Sequence, residues 1–308
     1  QVGIVTTLAT YYERLKASDP ARAAKCKQYA KAGANFIEHV RDRLDDKDGD
    51  SRALPEIGTS GEDGETNMNS GYLSGTAGSA FMNLKLYQAF DDEKYLTNAK
   101  DNLEWLQDTE DGPMVEFDDG SVAWKLAVDN QDEDAKDNHD LLPTGFEEGA
   151  AGIGWTFLQA YKVTGEKKYL ETASKAAKWL GSDNVAIKSD KGWSWNEGQG
   201  HGEAKTKNII HANLNNGAAG VGMFAGDLAA VTGDKAHKAL SDNAVKGLRS
   251  SAKGTKDVYW KDNSGDFGDN YQNDPSAHWG KAGIVIYLAR ITGGKADAPG
   301  LHDALQKQ

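Results

Sequence analysis

Apolar positions along this chain fall into two alternating kinds of stretch. In one kind, such as Ile153 to Val163 and Val221 to Val231, apolar and small residues occupy nearly every side of a helical wheel. That pattern predicts a helix packed all round. In the other kind, such as Glu166 to Leu180, the residues Tyr169, Ala173, Ala176, Ala177 and Leu180 share one face. That spacing predicts a helix with its opposite side in water. A short turn joins the two, Thr164-Gly165-Glu166 or Thr232-Gly233-Asp234, with Thr292-Gly293 as a third example. Its glycine stands where helices commonly close in a left-handed conformation. Upstream, Ile4 to Leu15 and Ala21 to Leu44 predict a further inner and outer pair, and Pro299 to Gln308 predicts a last outer helix.

The alternation is a true internal repeat. GYLSGTAGSAFMNLKLYQAFDDEKYL from Gly71 aligns with GFEEGAAGIGWTFLQAYKVTGEKKYL from Gly145, ANLNNGAAGVGMFAGDLAAVTGDKAH from Ala212 and PSAHWGKAGIVIYLARITGG from Pro275. The shared anchor is G-x-A-G at Gly75/Gly78, Gly149/Gly152, Gly217/Gly220 and Gly280/Gly283, spaced by 74, 68 and 63 residues. Repeats of this length stack neighbour on neighbour to build a common core. Helices with no polar face must be wrapped on every side. The prediction is therefore an all-α fold: a single (α/α) toroid over residues 1–308, made of about five helical hairpins. Trp105, Trp179 and Leu248 take equivalent places near the ends of the outer helices and are read as packing residues.

The two ends of the hairpins differ. Inner-to-outer turns are a few residues long, whereas Asp45–Ser70, Glu110–Thr144, Gly181–Ala212 and Gly254–Ser276 are long connections. Connections longer than about 12–15 residues in a compact domain are often functional. All of them fall on the face where G-x-A-G opens an inner helix. Free N–H groups at those helix starts are expected to favour an anionic group there.

Residues just before the anchors are the first candidates for chemistry. Glu147 and Glu148 precede Gly149, Asn215 and Asn216 precede Gly217, and His278 and Trp279 precede Gly280. Carboxyls and a histidine there are expected to transfer protons, and the amides to bind a carboxylate or sugar hydroxyls, or to cap the helix. Tyr72 stands three residues before its anchor. Trp124, Trp195 and Trp260 recur 25, 22 and 20 residues before their anchors, which predicts a shared strand or flap. Trp195 and Trp260 also remain candidates for contact with ligand. Trp193 and Tyr259 break the recurrence and are stronger candidates for stacking on a sugar ring. His201 and His211, together with His139, are candidates to join His278 in a metal site. Asp262, Asp266 and Asp269 are candidate calcium ligands, and Asp46-Lys47-Asp48-Gly49-Asp50 starts like an EF-hand loop.

The repeated glycine-rich helix starts, the T-G-[DE] turn and the following Y-L helix resemble the lanthionine synthetase C-like (LanC-like) family, over roughly Gly71 to Gly294. The resemblance implies an (α/α) barrel with a central cavity. In the cyclases of that family two cysteines and a histidine before such glycines hold zinc, which activates a thiol to add to a dehydrated Ser or Thr. Here the slots two residues before the anchors hold Leu73, Glu147, Asn215 and His278, and those one residue before hold Ser74, Glu148, Asn216 and Trp279. Cys26, the single cysteine, lies elsewhere. The implied fold carries over, and the thiolate-zinc chemistry does not.

Composition narrows the partners. With 35 Lys+Arg against 47 Asp+Glu the net charge is −12, so no basic stripe would neutralise phosphates and nucleic acid is not expected. No apolar run approaches a membrane span. The chain starts at Gln1, and its single cysteine and Asp-, Asn-, Gly- and Trp-rich loops fit a secreted or periplasmic protein. By analogy with other (α/α) toroids, which frequently host glycosidases and polysaccharide lyases, these readings favour an exported, monomeric, glycan-active lyase or hydrolase that needs no cofactor. Calcium is a candidate ion and zinc ranks below it. A LanC-like metalloenzyme acting on a peptide through a non-cysteine site, and a non-catalytic binding protein, are the alternatives.

Overall fold

The computed structural model describes residues 2–45, 52–54, 68–128, 140–202, 204–254, 260 and 281–291. Among these residues the chain forms α1 (Val2–Leu15), α2 (Pro20–Asp45), α3 (Thr76–Phe90), α4 (Glu93–Trp105), α5 (Ala150–Thr164), α6 (Lys167–Leu180), α7 (Ala218–Thr232), α8 (Lys235–Ser251) and α9 (Lys281–Ile291). Four consecutive hairpins, α1–α2, α3–α4, α5–α6 and α7–α8, are followed by a fifth inner helix, α9. Each inner helix packs on the next, α1 on α3, α3 on α5, α5 on α7 and α7 on α9, with the outer helices behind them. The architecture is the α/α toroid that the repeat predicts. The outer helix expected at Pro299–Gln308 lies outside the described residues.

The difference between inner and outer helices follows from their composition. Along α5, Ala150, Ala151, Gly152, Ile153, Gly154, Thr156, Phe157, Leu158 and Ala160 are all buried. A Cβ on Gly154 would meet the Phe224 ring tip at 2.7 Å and Ala176 at 3.1 Å, so the missing side chain lets α5 approach α7 and α6. The outer helix α6 buries only Tyr169, Thr172, Ala173, Ala176, Ala177, Trp179 and Leu180.

The T-G-[DE] turn has a chemical reason. Thr164 donates its hydroxyl to the Ala160 carbonyl at 2.8 Å and accepts from the Glu166 N–H at 3.1 Å. Thr232 does the same with Leu228 at 2.9 Å and Asp234 at 3.2 Å. Between them Gly165 (φ 73°) and Gly233 (φ 67°) take the left-handed conformation, which costs glycine nothing. Asp234 then caps the next helix through the Ala236 N–H at 2.7 Å, worth about 1 kcal/mol.

Short strands fill the described parts of the long connections: β1 (Met68–Asn69), β2 (Met114–Glu116), β3 (Val122–Trp124), β4 (Ala127–Val128), β5 (Leu142–Pro143), β6 (Ala186–Ser189), β7 (Gly192–Gln199) and β8 (Lys207–Ile210). The recurring tryptophans pin them to the helices. Trp124, Trp195 and Trp260 donate their indole N–H to the carbonyls of Leu106, Leu180 and Leu248 at 2.6, 2.8 and 2.7 Å. Each acceptor lies at the end of the outer helix that precedes its tryptophan.

Candidate functional site

The site is built by the segment that leads into each inner helix. That segment pairs with a strand from the next connection: Met68↔Val128 and Asn69↔Ala127 in one repeat, Leu142↔Gln199 and Pro143↔Gly198 in the following one. A hydroxyl then locks the pairing. Ser70 Oγ donates to the Lys125 carbonyl at 2.7 Å, and Thr144 Oγ1 donates to the Asn196 carbonyl at 2.7 Å. The backbone next folds sharply over the helix start. A Cβ on Gly75, Gly149 or Gly217 would collide with the carbonyl of Asn69, Pro143 or His211, and one on Gly78, Gly152 or Gly220 with that of Tyr72, Phe146 or Leu214. In every case the obstructing carbonyl is six residues upstream. The G-x-A-G anchor is therefore a close-approach motif.

This fold-over corrects one expectation. Ala77, Ala151 and Ala219 donate their N–H groups to the carbonyls of Ser70, Thr144 and Ala212 at 3.1, 3.3 and 3.3 Å. These amides, among those expected to attract an anion, are bonded to their own leading segment.

Consecutive repeats interlock at the residues before the anchors. Tyr72 and Leu73 donate their N–H groups to the Glu147 carbonyl at 2.8 and 2.9 Å, and Phe146 and Glu147 donate theirs to the Asn215 carbonyl at 2.5 and 2.9 Å. Side chains in these slots therefore gather on one face. Leu73 is exposed, Glu147 and Glu148 are half-buried, and Asn215 is buried. The Asn215 amide Nδ2 donates to Glu147 Oε2 at 2.9 Å. Asn216 donates its backbone N–H to the buried Asn213 Oδ1 at 2.8 Å.

Two carboxyls in this region are driven in opposite directions. Burial, the charge of Glu148 and that of Glu197 push Glu147 up to about 7, against the pull of the Asn215 amide. Glu197 is held below the usual glutamate range by its bond to His211, with help from Lys207 and against burial. His211 Nε2 lies 3.2 Å from Glu197 Oε2 and Lys207 Nζ 3.7 Å from Glu197 Oε1. Near neutral pH Glu147 is therefore partly protonated while Glu197 is ionised, an arrangement suited to acid–base catalysis.

Aromatic rings from consecutive repeats pack beside these slots. Tyr72 meets Phe81, Phe146 and Trp155 at ring-centre distances of 5.7, 5.1 and 5.6 Å. Burial pushes the Tyr72 phenol to about 12, so it stays neutral. Trp155 donates its indole N–H to Asp227 Oδ2 at 2.9 Å, and Arg290 pairs with the same carboxylate at 2.8 Å.

The other candidates are spread out. Trp195 is 0% exposed and Trp260 8%; both are spent in packing, so neither has a ring face to offer a ligand. Trp193 is half-buried at the far end of β7, with Lys188 Nζ 4.5 Å over its ring. His201 packs edge-on to Phe117 at 6.5 Å, while His211 bonds Glu197. His278, Trp279, Tyr259, Asp262, Asp266, Asp269, His139 and the Asp46–Asp50 segment lie outside the described residues. Glu197 and Trp155 escaped the sequence reading. Glu197 stands two residues after the recurring Trp195, where Leu126 follows Trp124, and that offset was the available signal.

The family-type zinc site can be tested on its donors. Leu73, Glu147 and Asn215 occupy slots where such a site needs soft ligands; the Asn215 amide is committed to Glu147, and Cys26 lies on the outer helix α2. Among the described residues no three His, Cys, Asp or Glu side chains are grouped to hold a metal ion. The residues present do not fit a thiolate-bound zinc.

No curated protein sequence matches this chain. Solved structures match its fold. A cellobiose 2-epimerase from Bacillus thermoamylovorans aligns with TM-score 0.57 at 14% identity, over 84% of this chain and 62% of that one. A GH76 α-mannanase from Bacteroides thetaiotaomicron aligns with TM-score 0.55 at 13% identity, over 99% of this chain and 72% of that one. A family 76 glycoside hydrolase from a bovine strain of the same species gives 0.53 at 13% identity, over 83% of this chain and 49% of that one. This chain thus spans only about half to three quarters of those proteins, and the likeness is one of fold. The lanthionine synthetase C-like protein family matches residues 3–291, so the chain belongs to the lanthionine synthetase C-like family, without the zinc-binding cysteines of its cyclases.

Proposed function

We propose that this protein is a glycan-active enzyme that cleaves neutral oligosaccharides or polysaccharides by acid–base hydrolysis, with Glu147 as the proton donor. The observation that carries the reading is the Glu147 carboxyl, half-buried, bonded by Asn215 and titrating at about 7. Such a group delivers a proton to a glycosidic oxygen as the bond to the anomeric carbon breaks. The structural relatives include two glycoside hydrolases of family 76, which supports a sugar substrate. Between hydrolysis and β-elimination, electrostatics favours hydrolysis. Glu147, Glu148 and Glu197 make the site acidic, and the helix-start amides of Ala77, Ala151 and Ala219, which would help hold a uronate carboxylate, are already bonded. His278 remains a candidate proton carrier from its slot in the repeat.

The test is a panel of neutral polysaccharides, uronic-acid polysaccharides and reducing disaccharides. The expected result is release of new reducing ends from a neutral member, lost in Glu147→Gln. A second reading, isomerisation or epimerisation of a reducing sugar, is favoured by the likeness to the cellobiose 2-epimerase and to a D-mannose isomerase of TM-score 0.52 at 11% identity, over 83% of this chain and 61% of that one. It would show as an altered sugar with no new reducing ends. Absorbance from unsaturated products would overturn both in favour of elimination.

A further inference from the structure

Glu197 belongs to a different connection from Glu147, yet the backbone brings the two together by two independent routes. On one side the Thr144 N–H donates to the Glu197 carbonyl at 3.0 Å, and Thr144 Oγ1 is bonded to the neighbouring Asn196 carbonyl. Glu147 follows three residues later. On the other side the Glu197 carboxylate meets His211, and four residues on Asn215 holds Glu147 through both its carbonyl and its amide. Glu197, Thr144, Glu147, Asn215 and His211 thus form a closed circuit of contacts.

The strand geometry at Glu197 is irregular. β7 pairs with β8 as Asn196↔Ile210 and then Gly198↔Lys207, so Asn208 and Ile209 together oppose Glu197. The extra residue lies on β8, so it is β8 that bends and twists more strongly where it faces Glu197. The bulge sits opposite the one acidic residue of β7. His211 is 8% exposed and is committed to Glu197, which suits a group that holds a carboxylate in place.

We propose that Glu197 is the second carboxylate of the site, the proton acceptor that faces the donor Glu147, and that His211 is the residue that positions it. This rests on the hydrolytic reading. In the reaction Glu147 gives its proton to the leaving glycosidic oxygen while Glu197 takes one from the water whose oxygen bonds to the anomeric carbon. One C–O bond breaks and one forms. The two carboxyls exchange protonation states, and solvent restores them after product leaves. The titratable and charged groups facing Glu197 are Lys207 and His211, from its own sheet and the following segment, and Glu147 from the preceding repeat.

The experiment uses the full chain in three forms: wild type, Glu197→Gln and His211→Gln, the last keeping an amide donor near Glu197. Each is checked for folding by circular dichroism and thermal melting. Carbon-13 NMR of labelled glutamate carboxyls, which needs no substrate, is the first readout. Glu197→Gln is expected to lower the Glu147 midpoint from about 7, and His211→Gln to raise that of Glu197. With a cleavable glycan, Glu197→Gln is expected to lower kcat on the order of 10²- to 10⁴-fold with little change in KM. His211→Gln should move the acidic limb of the pH–rate profile upward, a shift that a merely structural role would not produce. An unmoved Glu147 midpoint in a folded Glu197→Gln, or retained kcat, overturns the proposal. If wild type cleaves nothing, the NMR titration still decides the pairing, and the failure falls on the hydrolytic reading alone.

Discussion

The slot before Gly75 and the slot before Gly149 share one backbone and differ in chemistry. Both are preceded by a strand pair, a hydroxyl latch (Ser70, Thr144) and a carbonyl folded against the anchor glycine. Both donate two N–H groups to the corresponding carbonyl of the next repeat. Yet the first slot ends in Leu73, 46% exposed, and the second in Glu147, half-buried and titrating at about 7. The repeat therefore supplies a holder that is indifferent to what it holds. The proposed function enters at one side chain, through its neighbours Asn215, Glu148 and Glu197.

The comparison breaks most visibly in catalysis. Glu147→Gln should lower the rate of glycan cleavage on the order of 10²- to 10⁴-fold, whereas Leu73→Gln on the equivalent backbone should leave it within a few-fold in the same reducing-end assay. Next comes the shared scaffold. Gly75→Ala and Gly149→Ala both force a Cβ against a carbonyl, and each should destabilise by about 1–3 kcal/mol in denaturant unfolding. Unequal costs would mean that the two holders are not equivalent. Smaller still are the latches: Ser70→Ala and Thr144→Val each remove one hydroxyl donor, worth about 1 kcal/mol.

A pH dependence separates the two slots in stability as well. Glu147 has a folded pKa of about 7, above the roughly 4.3 of an unfolded glutamate. Its contribution to stability is thus complete below the unfolded value and lost as pH rises through the folded one. Glu147→Gln should match the wild-type Tm near pH 4 and exceed it at pH 8, while Leu73→Gln should show no such trend.

Much of this arrangement is legible in the sequence because it is local and repeated. The G-x-A-G spacing marks where the backbone crosses itself, and the T-G-[DE] turn carries its own hydrogen bonds. The recurring Trp124, Trp195 and Trp260 announce a common latch. Glu147 and Asn215 stand out because their slots are defined by offset from a glycine. Glu197 does not, because its proposed role depends on a register between β7 and β8 and on an electrostatic influence that reaches Glu147 across 50 residues of chain. The helix-start amides were misjudged for a related reason. Their partners are carbonyls seven residues upstream, and only the fold-over at the glycines brings those within reach.

The most direct measurement follows the Glu147 carboxyl itself by carbon-13 NMR from pH 4 to 9, assigned by its loss in Glu147→Gln. A midpoint near 7 is the result predicted for a carboxyl that holds its proton for donation. A midpoint near the ordinary glutamate value of about 4.3 would contradict the account, because the second slot would then hold a carboxylate as passively as the first holds Leu73.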